Sequence, residues 1–221
     1  MAAGDPLSVK VRRSPKRARY DRDSVHRVLD RDCVAHIAFA SGDQPYCIPT
    51  LYARIGDDVL IHGSTASRMI RCLAAGSPAC LTVTVLDGLV LASSAFEHTA
   101  DYDSVVLFGS FHRIEGAQRR LAALQALTNA LVPGRWDEVR APNRLELKAT
   151  TILGLVIDKA SVKTRHAPPD EDDFPDGRPV WTGTVPVLRG FGTPRPAPGL
   201  DPAIVLPPSV TGLRGLRSPD S

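Results

Sequence analysis

Short turns join most of the strand-like runs in this chain of 221 residues. Gly-Asp pairs at 42–43 and 56–57 separate the first three apolar runs, which lie at 33–40, 44–55 and 59–63. Strands joined by turns this short pair antiparallel, whereas parallel strands need a crossover of a dozen or more residues. The pattern therefore argues against a doubly wound parallel sheet and predicts an antiparallel one.

The remaining segments add strands and a few helices to this sheet. Helical spacing of apolar residues predicts helices at 65–76 and 117–132, and a short helix fits 21–30, with Asp23 or Ser24 as its cap. Further strands are predicted at 79–86, 89–96, 104–115 and 151–163, with a hairpin turn at Asp87-Gly88. We expect a mainly β (α+β) fold, a partly closed antiparallel barrel with two or three helices.

Charge and composition divide the chain into three parts. Residues 1–31 carry nine Lys or Arg and four Asp, a local charge of +5, whereas the whole chain has a net charge of +3. We predict a disordered basic arm at 1–20, a globular domain at 21–168 and a Pro/Gly/Asp-rich tail at 169–221. The arm has few aromatic residues on which bases could stack, so nucleic-acid binding is disfavoured.

Several other classes of function find no support in the sequence. The four cysteines form no CxxC pair, the six histidines are scattered, and no metal site is predicted. The motifs of Rossmann and P-loop nucleotide sites are missing. The chain shows neither a signal peptide nor an apolar run of membrane-spanning length. We therefore expect a cytoplasmic protein that is not embedded in a membrane.

Hydroxyl residues and one arginine crowd the junction between the strand at 59–63 and the next helix. Ser64, Thr65 and Ser67 can donate hydroxyl hydrogens, and Arg68 can make a paired contact with two phosphate oxygens. Gly63 would let a ligand approach the backbone closely. The junction is thus a candidate phosphate site, although serine or threonine before a helix is also the ordinary N-cap.

Three stretches together resemble the pyridoxamine 5′-phosphate oxidase-related flavoproteins, in particular their flavin-nucleotide-binding, nitroimidazole-resistance-like branch. They are QPYCIPTLYARIGDDVLIHGSTASRMIRCL, CLTVTVLDGLVLASSAFEHTADYDSVVLFGSF and VPGRWDEV. The resemblance covers roughly residues 24–168. It implies an FMN-binding split β-barrel and a homodimer with the cofactor at the subunit interface.

The resemblance also assigns roles by position. Backbone groups of the strand would line the flavin ring, the next strand would flank the ribityl chain, and the following loop would hold the phosphate. The cofactor-binding residues so implied are Ile48, Pro49, Thr50, Leu51, His62, Gly63, Ser64, Ser67, Arg68 and Thr84. The oxidase itself has a lysine where this chain has Met69, so one phosphate cation is missing.

The substrate side is less specific. His98 and Tyr102 lie in a polar segment that could form the mouth of a site, and His98 could donate a proton. Lys163 and Arg165 precede prolines as in the related branch, but they do not reproduce the oxidase pattern. No catalytic residue is assigned.

We expect an FMN-dependent oxidoreductase acting on an unidentified small molecule. Deazaflavin or haem are alternative cofactors, and a non-catalytic flavin- or haem-binding protein is the alternative function.

Overall fold

The computed structural model of the protein describes residues 9–169 and 180–213. Ten strands lie within these residues: β1 (Ala18–Arg19), β2 (Val34–Ser41), β3 (Gln44–Ile55), β4 (Asp58–Ser64), β5 (Pro78–Leu91), β6 (Thr99–Ser110), β7 (His112–Arg113), β8 (Thr150–Val156), β9 (Lys159–Arg165) and β10 (Gly183–Pro186). The α-helices in the same residues are α1 (Arg22–Leu29), α2 (Arg68–Ala74), α3 (Ala117–Leu131), α4 (Arg144–Ala149) and α5 (Pro208–Thr211).

All strand pairs in the described residues are antiparallel. The sheet has the order β1-β9-β6-β5-β2-β3-β4-β8-β7, and β10 adds to β5. The predicted mainly β, antiparallel split barrel is confirmed. The three predicted helices correspond to α1, α2 and α3. The shorter α4 and α5 were not predicted, because six and four residues are too few to show helical periodicity.

Inward-facing side chains of the strands form one main core. Its centre contains Ile37, Leu81, Leu107 and Leu153, each fully buried. Helix α3 covers a second, smaller cluster on the outside of β3, β4 and β8, where Leu127 packs near Leu60 and Ile152. The sheet thus has one face on the main core and the other partly covered by α3.

Helix α1 begins differently from the prediction. Its N-cap is Asp21, whose side chain accepts a hydrogen bond of 2.8 Å from the backbone N–H of Ser24. The predicted caps, Asp23 and Ser24, lie inside the first turn of the helix. Asp21 can cap because its backbone is extended while its carboxylate reaches a free N–H group.

The predicted hairpin at Asp87-Gly88 is wrong. Strand β5 continues through this pair and runs beside β6, with a register shift between Leu86 and Gly88. A Cβ at Gly88 would lie 2.8 Å from Cγ2 of Thr184 on β10. This glycine therefore permits the close approach of another strand and does not form a turn.

The single strand predicted at 151–163 is two strands. β8 pairs with β4 and β7, whereas β9 pairs with β6 and β1, so the two lie on different parts of the sheet. Ile157 and Asp158 separate them, and the Ile157 N–H donates to the Asp57 carbonyl over 2.8 Å. An uninterrupted apolar run cannot reveal such a change of partner.

Parts of the predicted arm and tail join the sheet. Ala18 and Arg19 form β1 on the edge of β9, and residues 183–186 form β10 on β5. Arg189 forms an ion pair of 2.8 Å with Asp32. Residues 1–8, 170–179 and 214–221 of the arm and tail lie outside the described residues, and the three-part division stays a prediction.

Among the described residues, the longest helices are too short or too polar to cross a lipid bilayer.

Candidate functional site

A split in the sheet lies between β3 and β4. Residues 44–51 of β3 pair with β2, and only residues 52–55 pair with β4. Beyond Ile61, β4 leaves β3 and continues along β8. In the described part of the chain no strand pairs with the second edge of residues 44–51, which we call the open edge. Its backbone N–H and C=O groups are available to another partner.

The four predicted ring-binding residues lie on this open edge. Ile48 and Thr50 are half-buried, whereas Pro49 and Leu51 are exposed on the other face. This alternation is the ordinary geometry of a strand. The Tyr52 N–H donates to the Cys33 carbonyl beside β2 over 3.0 Å, and the backbone groups of successive residues point to alternate edges of a strand. The backbone groups of Ile48 and Thr50 therefore face β2, and a ligand beside the open edge would meet those of Pro49 and Leu51. Contact of the four residues with a flavin ring stays a prediction.

Gly63 and Ser64 shape the loop that follows β4. A Cβ at Gly63 would lie 2.8 Å from Cγ1 of Ile70, so the glycine lets α2 pack closely on the strand. The Ser64 hydroxyl accepts a hydrogen bond of 3.2 Å from the Ala66 N–H. Ser67 is the N-cap residue of α2, but its side chain makes no capping hydrogen bond. The Ser67 hydroxyl therefore stays available to a ligand.

Arg68 is held in place by an aromatic residue that the sequence did not single out. Its Nη1 donates a hydrogen bond of 2.8 Å to the hydroxyl of Tyr46, and its guanidinium carbon lies 5.0 Å from the centre of the Tyr46 ring. Tyr46 stacks on Phe39 with ring centres 5.4 Å apart. Because Tyr46 belongs to the open edge, this contact brings the arginine beside the split.

His62 precedes Gly63 on β4. Its strand neighbour on β8 is Ile152, which lies in the cluster beneath α3. Partial burial lowers the pKa of His62 below its ordinary value of 6.5. The imidazole is therefore mostly neutral at pH 7 and adds little positive charge for a phosphate.

Several predicted residues share the outer face of the sheet, away from the main core. Strand pairing aligns Thr84 with Ser104 and Lys163, and aligns Tyr102 with Arg165. Because side chains alternate along each strand, these residues lie on the same face as Pro49 and Leu51. The structure thus brings Pro49 and Leu51 of β3 onto one face with the predicted residues of β5, β6 and β9, whereas Ile48 and Thr50 lie on the opposite face.

Arg165 occupies a buried position on that face. Its side chain is 2% exposed and forms an ion pair of 2.7 Å with Asp101. It also donates to the backbone carbonyls of Ala167 and Pro168. In this structure the guanidinium fixes the chain after β9, and the predicted contact with a substrate stays untested.

A second polar cluster was missed by sequence reasoning. Arg31 forms ion pairs with Asp87 at 2.5 Å and with Asp103 at 2.6 Å, and His166 lies 3.2 Å from Asp103. Asp87, Asp103 and His166 lie close enough to share a metal ion, their ligand atoms being within 4.8 Å of one another. The Arg31 guanidinium forms an ion pair with each of the two carboxylates, so the cluster is an ion-pair network.

His98 lies in the loop between β5 and β6. Its Nδ1 lies 2.8 Å from the carbonyl oxygen of Ser94. A carbonyl oxygen can only accept a hydrogen bond, so Nδ1 carries the proton and Nε2 of the neutral ring keeps its lone pair. The imidazole is exposed, as is the neighbouring Phe96.

Comparison with known proteins agrees with this fold. The family model described as pyridoxamine 5′-phosphate oxidase matches residues 21–164. The FAD and haem binding protein from Mycobacterium smegmatis is 38% identical, with a TM-score of 0.86 over 90% of this chain and 98% of that chain. The flavocytochrome Anf3 from Azotobacter vinelandii is 34% identical, with a TM-score of 0.85 over 92% and 95%.

More distant similarity extends to the fold alone. A protein described as a 5-nitroimidazole antibiotic resistance protein from Bacteroides thetaiotaomicron is 13% identical, with a TM-score of 0.57 over 66% of this chain and 85% of that chain. A search among curated proteins found no match. The family match and the two similar structures confirm the resemblance seen in the sequence, and the chain belongs to the pyridoxamine 5′-phosphate oxidase family.

Proposed function

We propose that this protein binds a flavin nucleotide at the open edge of β3 and acts as a flavin-dependent oxidoreductase on a small molecule. The observation that carries the proposal is the position of Arg68, which Tyr46 holds beside the open edge. Two relatives that this chain matches over at least nine-tenths of its length are named as a FAD- and haem-binding protein and a flavocytochrome.

The residues at the split fit the parts of a flavin nucleotide. The Ser67 hydroxyl and the Arg68 guanidinium would bind the phosphate next to the ribityl chain, through charge-assisted hydrogen bonds. The backbone groups of Pro49 and Leu51, which face the open edge, would meet the polar edge of the ring. The bound flavin would supply the electron-transfer chemistry, and the protein would supply binding and orientation.

Met69 limits the phosphate site to fewer cations than the oxidase has. Its side chain is buried and packs in the main core beneath α2. Its position faces the core, so a lysine there would have to displace core contacts to reach the phosphate. Lys163 and Arg165 do not reproduce the substrate-side pattern of the oxidase, so its reaction is not the activity that we propose, and the substrate is an unidentified small molecule.

A second copy of the chain would complete the site. Val34 and Leu51 are exposed on the outer face, and Pro49 and Thr84 lie on the same face. Exposed apolar side chains grouped on one face are typical of a protein interface. We therefore propose a homodimer in which the outer face of one subunit covers the flavin of the other.

Haem binding is a second candidate function, favoured by His98. Histidines that ligate a metal usually donate their other ring N–H to a carbonyl or carboxylate, and His98 already does so to Ser94. Its Nε2 could bind the haem iron, with the exposed Phe96 beside the porphyrin. Haem titration of the His98→Ala variant should lose the Soret shift that wild type gives. An unchanged spectrum would exclude His98 as the ligand.

Flavin titration of the Arg68→Ala variant tests the first proposal. Loss of a charged hydrogen bond costs about 1.5–3 kcal/mol, so FMN should bind roughly 10- to 150-fold more weakly. Arg71→Ala is the matched control, because Arg71 is exposed on the same helix. If FMN affinity were unchanged in the Arg68 variant, the phosphate site would lie elsewhere.

A further inference from the structure

A second cationic cleft lies next to the loop that follows β4. Its volume is about 290 Å³. It lies between the N-terminal end of α3, the C-terminal end of α4 and the first residues of β8, and Thr65 reaches it from the β4–α2 loop. Of the residues that line the cleft, only Thr65 belongs to the phosphate site predicted from the sequence.

Three cations and one carboxylate line the cleft. Arg113, Arg120 and Lys148 bring three positive charges, against which Glu115 brings one negative charge. Arg120 is fixed, because its Nη2 donates to the carbonyls of Leu147 and Thr150. Within the described residues no hydrogen bond or ion pair engages the side chains of Arg113 and Lys148. The cleft therefore has an excess of two positive charges that nothing in the described chain neutralises.

The start of α3 makes the same wall more positive. Its first turn contains Arg119 and Arg120 and no acidic residue, and no side chain caps its N-terminus at Gly116. Positive side chains at this end of a helix oppose the helix dipole and destabilise it slightly. An anion in the cleft would relieve that repulsion as well as the repulsion among the three cations.

The cleft is one strand away from the proposed flavin phosphate site. Thr150 pairs with Ser64, and Thr151 pairs with Gly63, across β8 and β4. Adjacent strands lie about 4.8 Å apart. The N–H of Thr65 donates to the Ala149 carbonyl over 3.1 Å, which ties the phosphate loop to the end of α4. Thr65 thus belongs both to the loop after β4 and to the lining of the cleft.

We infer that the cleft binds the diphosphate end of a nucleotide. The inference rests on the proposed flavin site and deepens it: the second phosphate of FAD would lie against Arg113 and Lys148, and FMN would leave the cleft empty. Ligand pockets usually measure about 300–1,000 Å³, so this cleft has room for phosphate groups but not for a whole dinucleotide. Glu115 opposes the anion and keeps its binding moderate.

The test compares FAD, FMN and ADP as ligands of the full chain. The double variant Arg113→Gln/Lys148→Gln removes the two cations without a partner, and both are exposed, so the fold should be kept. FAD should bind at least about tenfold more weakly to this variant, whereas FMN should change less than about twofold. Lys16→Gln/Arg195→Gln is the matched control, with the same loss of charge outside the cleft. Glu115→Gln should act in the opposite direction and tighten FAD.

The outcomes distinguish FAD from a free nucleotide as the source of the anion. They also distinguish failure of the cleft proposal from failure of the flavin proposal. ADP binding to FMN-loaded protein, lost in the double variant, would support the cleft with a free nucleotide as its ligand. ADP binding by a wild type that takes up no flavin would retain the cleft and refute the flavin site. If the double variant weakened neither FAD nor ADP, or weakened FAD and FMN equally, the inferred diphosphate site would be wrong.

Discussion

The hydroxyl of Tyr46 accepts a hydrogen bond of 2.8 Å from Arg68, and the two residues are 22 positions apart in the sequence. The same guanidinium lies over the Tyr46 ring, so two contacts fix it. Cation–π contacts and charged hydrogen bonds each stabilise one orientation of the side chain. Arg68 is therefore oriented before any ligand arrives, which lowers the entropic cost of binding a phosphate.

Removing the Tyr46 hydroxyl should weaken flavin binding without harming the fold. In Tyr46→Phe the ring can still stack on Phe39, but Arg68 loses its hydrogen bond. We expect the flavin Kd to rise about 3- to 10-fold, from a hydrogen bond worth about 1 kcal/mol. Fluorescence titration measures the change, and Tyr20→Phe, which alters a distant exposed tyrosine, is the control. An unchanged Kd would mean that Tyr46 does not position Arg68 for binding.

Gly63→Ala should destabilise the protein through α2. The new Cβ would lie 2.8 Å from Cγ1 of Ile70, and overpacking of this kind costs about 1–3 kcal/mol in the free energy of unfolding. The extra cost should largely vanish in the Ile70→Ala background, because the clashing atoms are gone. Urea unfolding of wild type, the two single variants and the double variant measures the coupling energy between positions 63 and 70. Gly190→Ala, where a Cβ meets nothing within 4 Å, should change stability little.

Gly88→Ala should loosen β10 from the sheet. A Cβ there would meet Cγ2 of Thr184 at 2.8 Å and the carbonyl oxygen of Val185 at 3.2 Å, and the backbone atom cannot rotate away. We expect faster protease cleavage within residues 183–213 while the barrel stays intact. Time-resolved proteolysis with mass spectrometry gives the rate. Equal rates for this variant and the Gly192→Ala control would show that β10 tolerates the methyl group.

Local sequence signals predicted the antiparallel order of the sheet but missed contacts between distant residues. The short turns at 42–43 and 56–57 were read correctly, because turn chemistry is local. The Asp87-Gly88 pair also looks like a turn, and only β10, almost a hundred residues later, shows why a glycine is needed there. Strand register, which depends on such distant partners, was therefore less predictable than the strands themselves.

In the candidate site, too, residues close together in the sequence were predictable and contacts between distant residues were not. Ser67 and Arg68 could be singled out because hydroxyl groups and an arginine cluster within one loop. Tyr46 and the cations of the α3–α4 cleft could not, since they come from elements far apart in the sequence. The one local signal at Tyr46 was its own aromatic side chain, next to Pro45 in a predicted strand.

Cysteine labelling can test the proposed dimer. Cys47 is exposed on the outer face, and Cys80 lies two strands away in the same row, beyond Ala38. Burial raises the pKa of the Cys80 thiol, which lowers its thiolate fraction and its reactivity.

We expect iodoacetamide to modify Cys47 first in dilute protein, and we expect Cys47 to become protected as dimers form at higher concentration. Cys72, on α2, should label at a rate independent of concentration. Constant labelling of Cys47 in a protein of dimeric mass would place the interface on another face.

The network around Asp103 should make stability depend on pH in the acid range. Burial acts to raise the pKa of Asp103, but hydrogen bonds from Thr164, His166 and Arg31 outweigh it and hold the pKa below its ordinary value of 3.8. The unfolded chain therefore binds a proton at higher pH than the folded one. The stabilisation is complete above about pH 4 and is lost as the pH falls further, through the pKa of the folded state.

Asp103→Asn should remove this part of the pH dependence. The variant keeps the shape of the side chain but leaves Arg31 with only Asp87 as an ionic partner, so we expect a loss of about 1–3 kcal/mol in the free energy of unfolding at pH 7. Between pH 4 and pH 2.5, wild type should lose stability more steeply than the variant does. Thermal unfolding across this range gives both slopes, with the exposed Asp137→Asn variant as a control of equal charge. Parallel slopes for wild type and Asp103→Asn would mean that Asp103 has the same pKa in the folded and unfolded chain.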